Sequence, residues 1–141
     1  MHIDLAAACS SPYKPDYAIS GTVDSETGRV ELIAEPNREE AARYTISGSI
    51  DLHSGDIGIV ATANHVGATN YTISGYLDLR TGQLCYVHAE PSSSQRPKFD
   101  LSGSLDLSTG RIAITAESRR SDHPNYEIRG SVSQFSWGCS Q

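Results

Sequence analysis

The sequence predicts an all-β protein: a closed, antiparallel, up-and-down barrel of ten strands, built from five hairpin repeats of about 27 residues. Three observations lead to this prediction. A five-residue motif recurs at a nearly fixed step, apolar and polar residues alternate within each repeat, and the two chain ends supply half a repeat each. A period of this size is typical of one supersecondary unit used several times.

The recurring motif is an aromatic residue followed by an alternating run that includes glycine. It begins at Tyr17, Tyr44, Tyr71, Phe99 and Tyr126, so the steps are 27, 27, 28 and 27 residues. In residues 44–51, aromatic, aliphatic and glycine positions alternate with Thr, Ser and Asp. Alternation of period two is typical of a strand with one buried face. We therefore expect the motif aromatics to point into the barrel.

A tight turn follows four of these strands. Each turn begins with an aspartate and reaches a glycine four residues later; the aspartates are Asp24, Asp51, Asp78 and Asp106. The carboxylate can accept hydrogen bonds from turn amides, and glycine tolerates the left-handed conformation. Because the turn accounts for the repeated aspartates, the sequence predicts no metal site and no cofactor. The same turn sets a register in which both strands of a hairpin share one apolar face.

The chain ends complete the ring. Residues 2–7 align with residues 111–116, and both segments begin 15 residues before a motif aromatic. The chain therefore opens on the second strand of a repeat and closes on a first strand, so pairing of these strands would remove both sheet edges. The alternative is a small five-bladed propeller-like or sandwich arrangement, but a blade needs about four strands and more than 40 residues. Residues 1–141 are thus predicted to form one domain.

Two regions break the repeat. Beyond the last strand, Phe135 and Trp137 are predicted to cap the tight-turn end, with contact to a partner or sugar as the alternative. The five loops between repeats also differ completely, while the hairpins barely differ. The motif aromatics lie beside these loops, so the loop end should form a cup with an aromatic mouth. Function commonly resides on loops carried by a rigid scaffold.

One strand departs from the internal consensus. The third inward position of the second strand is alanine in four units and His88 in the fifth, and Tyr86 replaces an aliphatic residue at the position before it. We expect Tyr86 and His88 to point into the lumen and fix the polar end of a ligand. The alternative is that His88 fills space and bonds Tyr71 or a loop carbonyl. The predicted ligand-binding residues are Tyr44, Tyr71, Tyr86, His88, Phe99 and Tyr126.

The leading functional prediction is a non-enzymatic binding protein that holds a small, partly apolar ligand in the lumen or at the mouth. One alternative is a carbohydrate- or protein-recognition module acting through the divergent loops. The other is a barrel enzyme of the cyclase or isomerase type that uses His88 and Tyr86 for acid–base chemistry. The sequence contains no GxSxG, HExxH, P-loop or GxGxxG motif.

Composition narrows the partners. A net charge of −6 argues against nucleic acid, and no segment approaches the length of a transmembrane helix. The start of the chain lacks a basic signal-peptide region, and three cysteines without a CxxC pair argue against a disulfide framework. These features predict a cytoplasmic protein, with secretion by another route as the alternative. An outward belt predicts a surface for homo-oligomer formation, through Ala6, Ile33, Val60, Val87 and Thr115.

Overall fold

The computed structural model describes residues 1–133 and shows ten antiparallel strands closed into one barrel. The strands are β1 (His2–Cys9), β2 (Tyr17–Val23), β3 (Arg29–Pro36), β4 (Tyr44–Ile50), β5 (Asp56–Ala63), β6 (Tyr71–Leu77), β7 (Leu84–Pro91), β8 (Phe99–Leu105), β9 (Arg111–Ser118) and β10 (Tyr126–Ser133). They follow chain order around the ring. The predicted barrel is confirmed, and the propeller-like and sandwich alternatives are wrong. The predicted cap formed by Phe135 and Trp137 lies outside the described residues.

Backbone pairing between β1 and β10 closes the barrel. The pairs run from His2 with Ser133 to Cys9 with Tyr126, and β1 pairs with β2 on its other side. The two terminal strands therefore satisfy each other's hydrogen-bonding groups, which open edges would leave exposed. None of residues 1–133 belongs to a helix long and apolar enough to cross a membrane.

The barrel interior is packed at the base and open toward the mouth. Near the tight turns, Ile3, Val23, Val30 and Val132 form a buried cluster that partly buried aliphatic residues surround. Toward the loops comes a layer of buried alanines, which are Ala7, Ala34, Ala61, Ala89 and Ala116. Alanine fills little volume, so the upper half of the lumen holds fewer side-chain atoms than the base.

The tight turns are built as predicted. Asp24 Oδ1 accepts hydrogen bonds from the amides of Glu26 and Thr27 at 2.8 and 3.2 Å, and the other three turns repeat this pattern. The turn glycines have φ between 78° and 85°. Each turn also binds the next hairpin: the carbonyl of Gly28, for example, accepts from the amide of Ile50 at 2.9 Å. The turn aspartates therefore have a structural role at the base.

The glycines of the strand motif allow neighbouring backbones to approach closely. At Gly48, φ is +147°, and an added Cβ would lie 2.2 Å from the carbonyl oxygen of Gly58 on β5. No side chain can occupy that space without moving the strand. The motif glycine is thus required by backbone contact.

Strand β7 contains a β-bulge, so its register differs from the one that the sequence predicts. Ser74 pairs with His88 but Tyr76 pairs with Cys85, so Tyr86 is an extra residue; its φ is +54° and its side chain is 83% exposed. Beyond the bulge the alternation inverts, and Val87 is buried inside with 4% exposure. The prediction that Tyr86 and His88 point into the lumen is wrong. The outward position assigned to Val87 in the self-association belt is also wrong.

The physical reason lies in the single 28-residue step of the repeat. In the other hairpins, the inward alanine lies six residues after the turn glycine and ten residues before the next motif aromatic. In this hairpin the two rules disagree: six residues after Gly82 is His88, whereas ten residues before Phe99 is Ala89. The structure follows the second rule, because Ala89 is buried and opposite Phe99. The extra residue also interrupts the pairing of β7 with β8 between the pairs Val87–Leu101 and Gln83–Ser104.

We predict that Gly48→Ala lowers the free energy of unfolding by about 2–4 kcal/mol, through the close contact and the unfavourable φ. Gly58→Ala is the matched control, because Gly58 lies across from Ser49 and its added Cβ would meet no atom within 4 Å. This control should leave stability unchanged or raise it by up to about 1 kcal/mol. Urea unfolding measures both. Equal effects of the two substitutions would contradict the backbone-contact account.

We also predict that deleting Tyr86 yields a folded barrel, stabilised by about 1–2 kcal/mol because a left-handed non-glycine residue is removed. The deletion leaves Leu84, Val87 and Ala89 inward and restores unbroken alternation. Deleting Ser47 from the regular strand β4 is the control and should prevent folding, because it turns inward residues outward. Circular dichroism and thermal unfolding distinguish these outcomes. An unfolded Tyr86 deletion would show that the bulge is needed for folding.

Candidate functional site

The loop end of the barrel contains a cavity of about 710 Å³. The motif aromatics form its wall in a continuous arc of neighbouring rings, in the order Tyr44, Tyr17, Tyr126, Phe99 and Tyr71. Adjacent ring centroids are 6.0–6.3 Å apart and the rings are inclined by 56–66°. These are edge-to-face and tilted arrangements, which aromatic rings favour. This part of the cavity wall therefore presents mainly ring surface.

The floor of the cavity is aliphatic. It combines the alanine layer with the residues two positions after each motif aromatic, which are Ile19, Ile46, Ile73, Leu101 and Ile128. Period-two alternation places these residues on the inward face, one layer below the rings. Because the alanines are small, this layer leaves empty space in the lumen. Nearer the base, larger aliphatic residues fill the corresponding space. The site is thus an apolar cup with its opening among the loops.

The structure brings together four of the six predicted site residues. Tyr44, Tyr71, Phe99 and Tyr126 all line the cavity, and Tyr17 completes the arc. Tyr17 was missing from the predicted site, although it begins a copy of the same motif and so carried the same signal. Tyr86 instead lies on the outer surface, with its ring 6.0 Å from that of Tyr76.

His88 lies on the outer face of the barrel among polar partners. Its Nε2 is 3.5 Å from Ser74 Oγ and 3.6 Å from Glu90 Oε1, and its Nδ1 is 3.3 Å from the carbonyl oxygen of Tyr86. The predicted bond to Tyr71 or to a loop carbonyl is therefore not formed. Since Tyr86 and His88 both lie outside the lumen, a lumenal acid–base mechanism that depends on them loses both of its residues.

The half-buried phenols of the mouth have raised pKa values. Burial raises the pKa of Tyr17 to about 12, with smaller upward effects from Tyr44, Tyr71 and Cys9 and an opposing effect from the charge of Arg96. Burial likewise raises the pKa of Tyr44, Tyr71 and Tyr126. At neutral pH these groups therefore offer hydroxyl donors and acceptors to a ligand, and no negative charge.

The loops around the mouth are joined at their bases. Four loop backbones donate to side chains of the neighbouring loop at 2.9–3.0 Å; the pairs are Asp16–Asn37, Arg43–Asn64, Asn70–Ser92 and Asn125–Ser10. Arginines add links across the rim: Arg38 donates to the carbonyls of Pro12 and Tyr13, and Arg120 donates to those of Ser94 and Gln95. These bonds tie neighbouring loops of the rim to one another.

A second cleft lies between the loops that follow β3 and β5. It measures about 680 Å³ and is largely polar, with Glu35, Asn37, Arg43, Asn64 and His65 among its lining residues. Arg43 Nε donates to Glu35 Oε1 at 2.6 Å. This cleft belongs to one region of the rim, because the sequences of the two loops that form it are not repeated in the other loops.

Comparison with known proteins finds no matching family, no similar curated protein and no similar solved structure. Across the described part of the chain, no three His, Cys, Asp or Glu side chains are grouped so that they could hold a metal ion. Fold and site therefore define the class directly: a closed ten-stranded antiparallel barrel with an aromatic-walled apolar cup at its loop end.

The raised pKa of Tyr17 predicts a specific alkaline behaviour. A phenol whose pKa is higher in the folded state contributes stability below its ordinary value of 10.0, and this contribution is lost as the pH rises toward 12. We expect the tyrosinate absorbance of wild type minus that of Tyr17→Phe to have its midpoint near pH 12. A difference curve centred at 10.0 would show that Tyr17 is not desolvated at the mouth.

Proposed function

We propose that this protein is a non-enzymatic binding protein that holds a small, partly apolar ligand at the mouth and in the upper lumen of its barrel. The observation that supports this proposal is the cavity of about 710 Å³. Small-molecule sites in proteins commonly have volumes of roughly 300–1,000 Å³ and mostly apolar linings with a few polar groups. The cup combines a suitable volume with this kind of lining.

The lining favours a ligand with a ring or a branched apolar body. The five rings offer broad apolar surface, and the inclined arrangement leaves both faces and edges available for contact. The aliphatic floor can bury the end of the ligand, while the packed base limits how deep the ligand can go. The phenol hydroxyls supply polar contacts at the depth of the rings.

The evidence for the rival functions is weaker. The cyclase or isomerase hypothesis placed its acid–base groups at Tyr86 and His88, which lie outside the cavity. Recognition of a carbohydrate or protein through the loops has one supporting observation, the polar cleft that contains Arg43, Asn64 and Glu35. We keep loop recognition as the second candidate, since amide, carboxylate and guanidinium groups are suited to hydroxyl-rich ligands.

Filling the alanine layer tests the lumen directly. Ala7 is inward, 5% exposed and lines the cavity, whereas its neighbour Ala8 is exposed on the outer face. We predict that Ala7→Leu weakens binding of the neutral fluorescent probe phenylnaphthylamine at least about tenfold by filling the space it needs. Ala8→Leu is the matched control and should leave the affinity unchanged. Fluorescence titration measures both.

The smaller change Ala7→Val provides a second variant in case leucine overpacks the core, and it should give an intermediate loss. Circular dichroism checks that each variant is folded. Unchanged probe affinity in a folded Ala7→Leu variant would place the probe outside the lumen and favour the loop-recognition candidate.

A further inference from the structure

The cavity mouth has the opposite charge to the rest of the protein. Three cationic side chains line the cavity, Lys14, Arg38 and Arg96, against one carboxylate, Glu40. The residues that line the cavity therefore carry a net charge of +2, in a chain whose net charge is −6. Clustering of cations at an apolar opening of an acidic protein indicates attraction of negatively charged molecules to that opening.

Arg96 differs from most arginines in having no ion-pair or side-chain hydrogen-bond partner among residues 1–133. Seven others form an ion pair or donate to carbonyls: Arg29, Arg38, Arg43, Arg80, Arg119, Arg120 and Arg129. Within residues 1–133 no carboxylate is in ion-pair contact with the Arg96 guanidinium, and no backbone or side-chain oxygen accepts a hydrogen bond from it. Its donors therefore remain available to a ligand.

The position of Arg96 fits a group that faces the cavity opening. Arg96 lies in the loop between β7 and β8, yet its positive charge counteracts the burial-driven rise in the pKa of Tyr17, Tyr44 and Tyr71. These tyrosines begin β2, β4 and β6, so they occupy three different units of the ring. Arg96 lines the cavity together with these three tyrosines. Its charge therefore lies at the mouth, near the polar end of a ligand seated in the cup.

We propose that the ligand of this cavity is an amphipathic anion, whose apolar body lies against the aromatic rings and whose anionic group is bound by Arg96. This inference rests on the proposed function and adds the chemical class of the ligand. A planar guanidinium can bind a carboxylate, sulfonate or phosphate through two parallel hydrogen bonds, which are stronger than bonds between neutral groups. Lys14 adds a second positive charge to the same opening.

Two fluorescent probes that share one aromatic skeleton test the inference. Anilinonaphthalene sulfonate carries an anionic group, and phenylnaphthylamine is its neutral counterpart. We expect the full-length protein to bind the sulfonate about tenfold more tightly than the neutral probe. Arg96→Gln should reduce sulfonate affinity about tenfold and change affinity for the neutral probe by less than about twofold, because only the charge-assisted contact is lost.

Arg111→Gln is the matched control. Arg111 lies at the tight-turn end of β9, and it also has no ion pair within the described residues. Its substitution removes the same charge from the opposite end of the barrel and should change neither affinity. Arg96→Lys keeps the charge without the planar fork and should recover part of the sulfonate preference.

The outcomes separate the inference from the function on which it rests. Equal wild-type affinity for the two probes would overturn the anionic class and leave the lumen site standing. Equal losses for both probes in Arg96→Gln would also overturn it, by showing that Arg96 only organises the rim. An equal loss of sulfonate affinity in Arg111→Gln would show that only the net charge of the protein matters, and it would overturn the specific contact with Arg96. Failure of the wild type to bind either probe would overturn the proposed function itself.

Discussion

Closure of the sheet by β1 and β10 is the interaction on which the rest of the structure depends. The two strands pair along their full length, from His2–Ser133 to Cys9–Tyr126. An open sheet would expose two rows of backbone donors and acceptors. The inward side chains would then no longer form closed layers around a lumen. The aromatic mouth also crosses the closure, because Tyr17 and Tyr126 lie on the strands flanking β1 and their rings are 6.3 Å apart. The cup therefore exists only in the closed ring.

Within the closed ring, the packed aliphatic cluster and the proposed binding site lie at opposite ends. The base has the buried aliphatic cluster and the ring of turn-to-strand hydrogen bonds, such as that from Ile50 to Gly28. The upper half has alanines where the base has Val and Ile. It therefore buries less apolar surface and leaves some of it open to solvent. A concentrated apolar surface of this kind is typical of an interaction site. Because the base supplies most of the apolar packing, the mouth can remain open without loss of the fold.

The fold and most of the site could be predicted from the sequence, because both follow from local rules. Alternation assigns each residue to a face, the turn chemistry sets the register, and the repeat then places four of the six predicted site residues together at the mouth. Tyr86 and His88 could not be placed this way. The 28-residue step reveals that one residue is extra, but the step does not say where the strand accommodates it. Nor does the sequence show that Arg96 lines the cavity together with Tyr17, Tyr44 and Tyr71.

The sequence by itself determined the barrel, its closure by two half repeats and the identity of the aromatic mouth, since each depends on periodicity along the chain. Only the tertiary structure decided where the bulge forms, because its free energy depends on contacts of β7 with both neighbouring strands. Burying His88 without partners would cost roughly 1–3 kcal/mol, and the left-handed conformation of Tyr86 costs about 1–2 kcal/mol. The bulge also buries Val87 and Ala89 against β6 and β8. The strained conformation of Tyr86 is therefore lower in free energy than a regular strand only when β6 and β8 are in place beside β7.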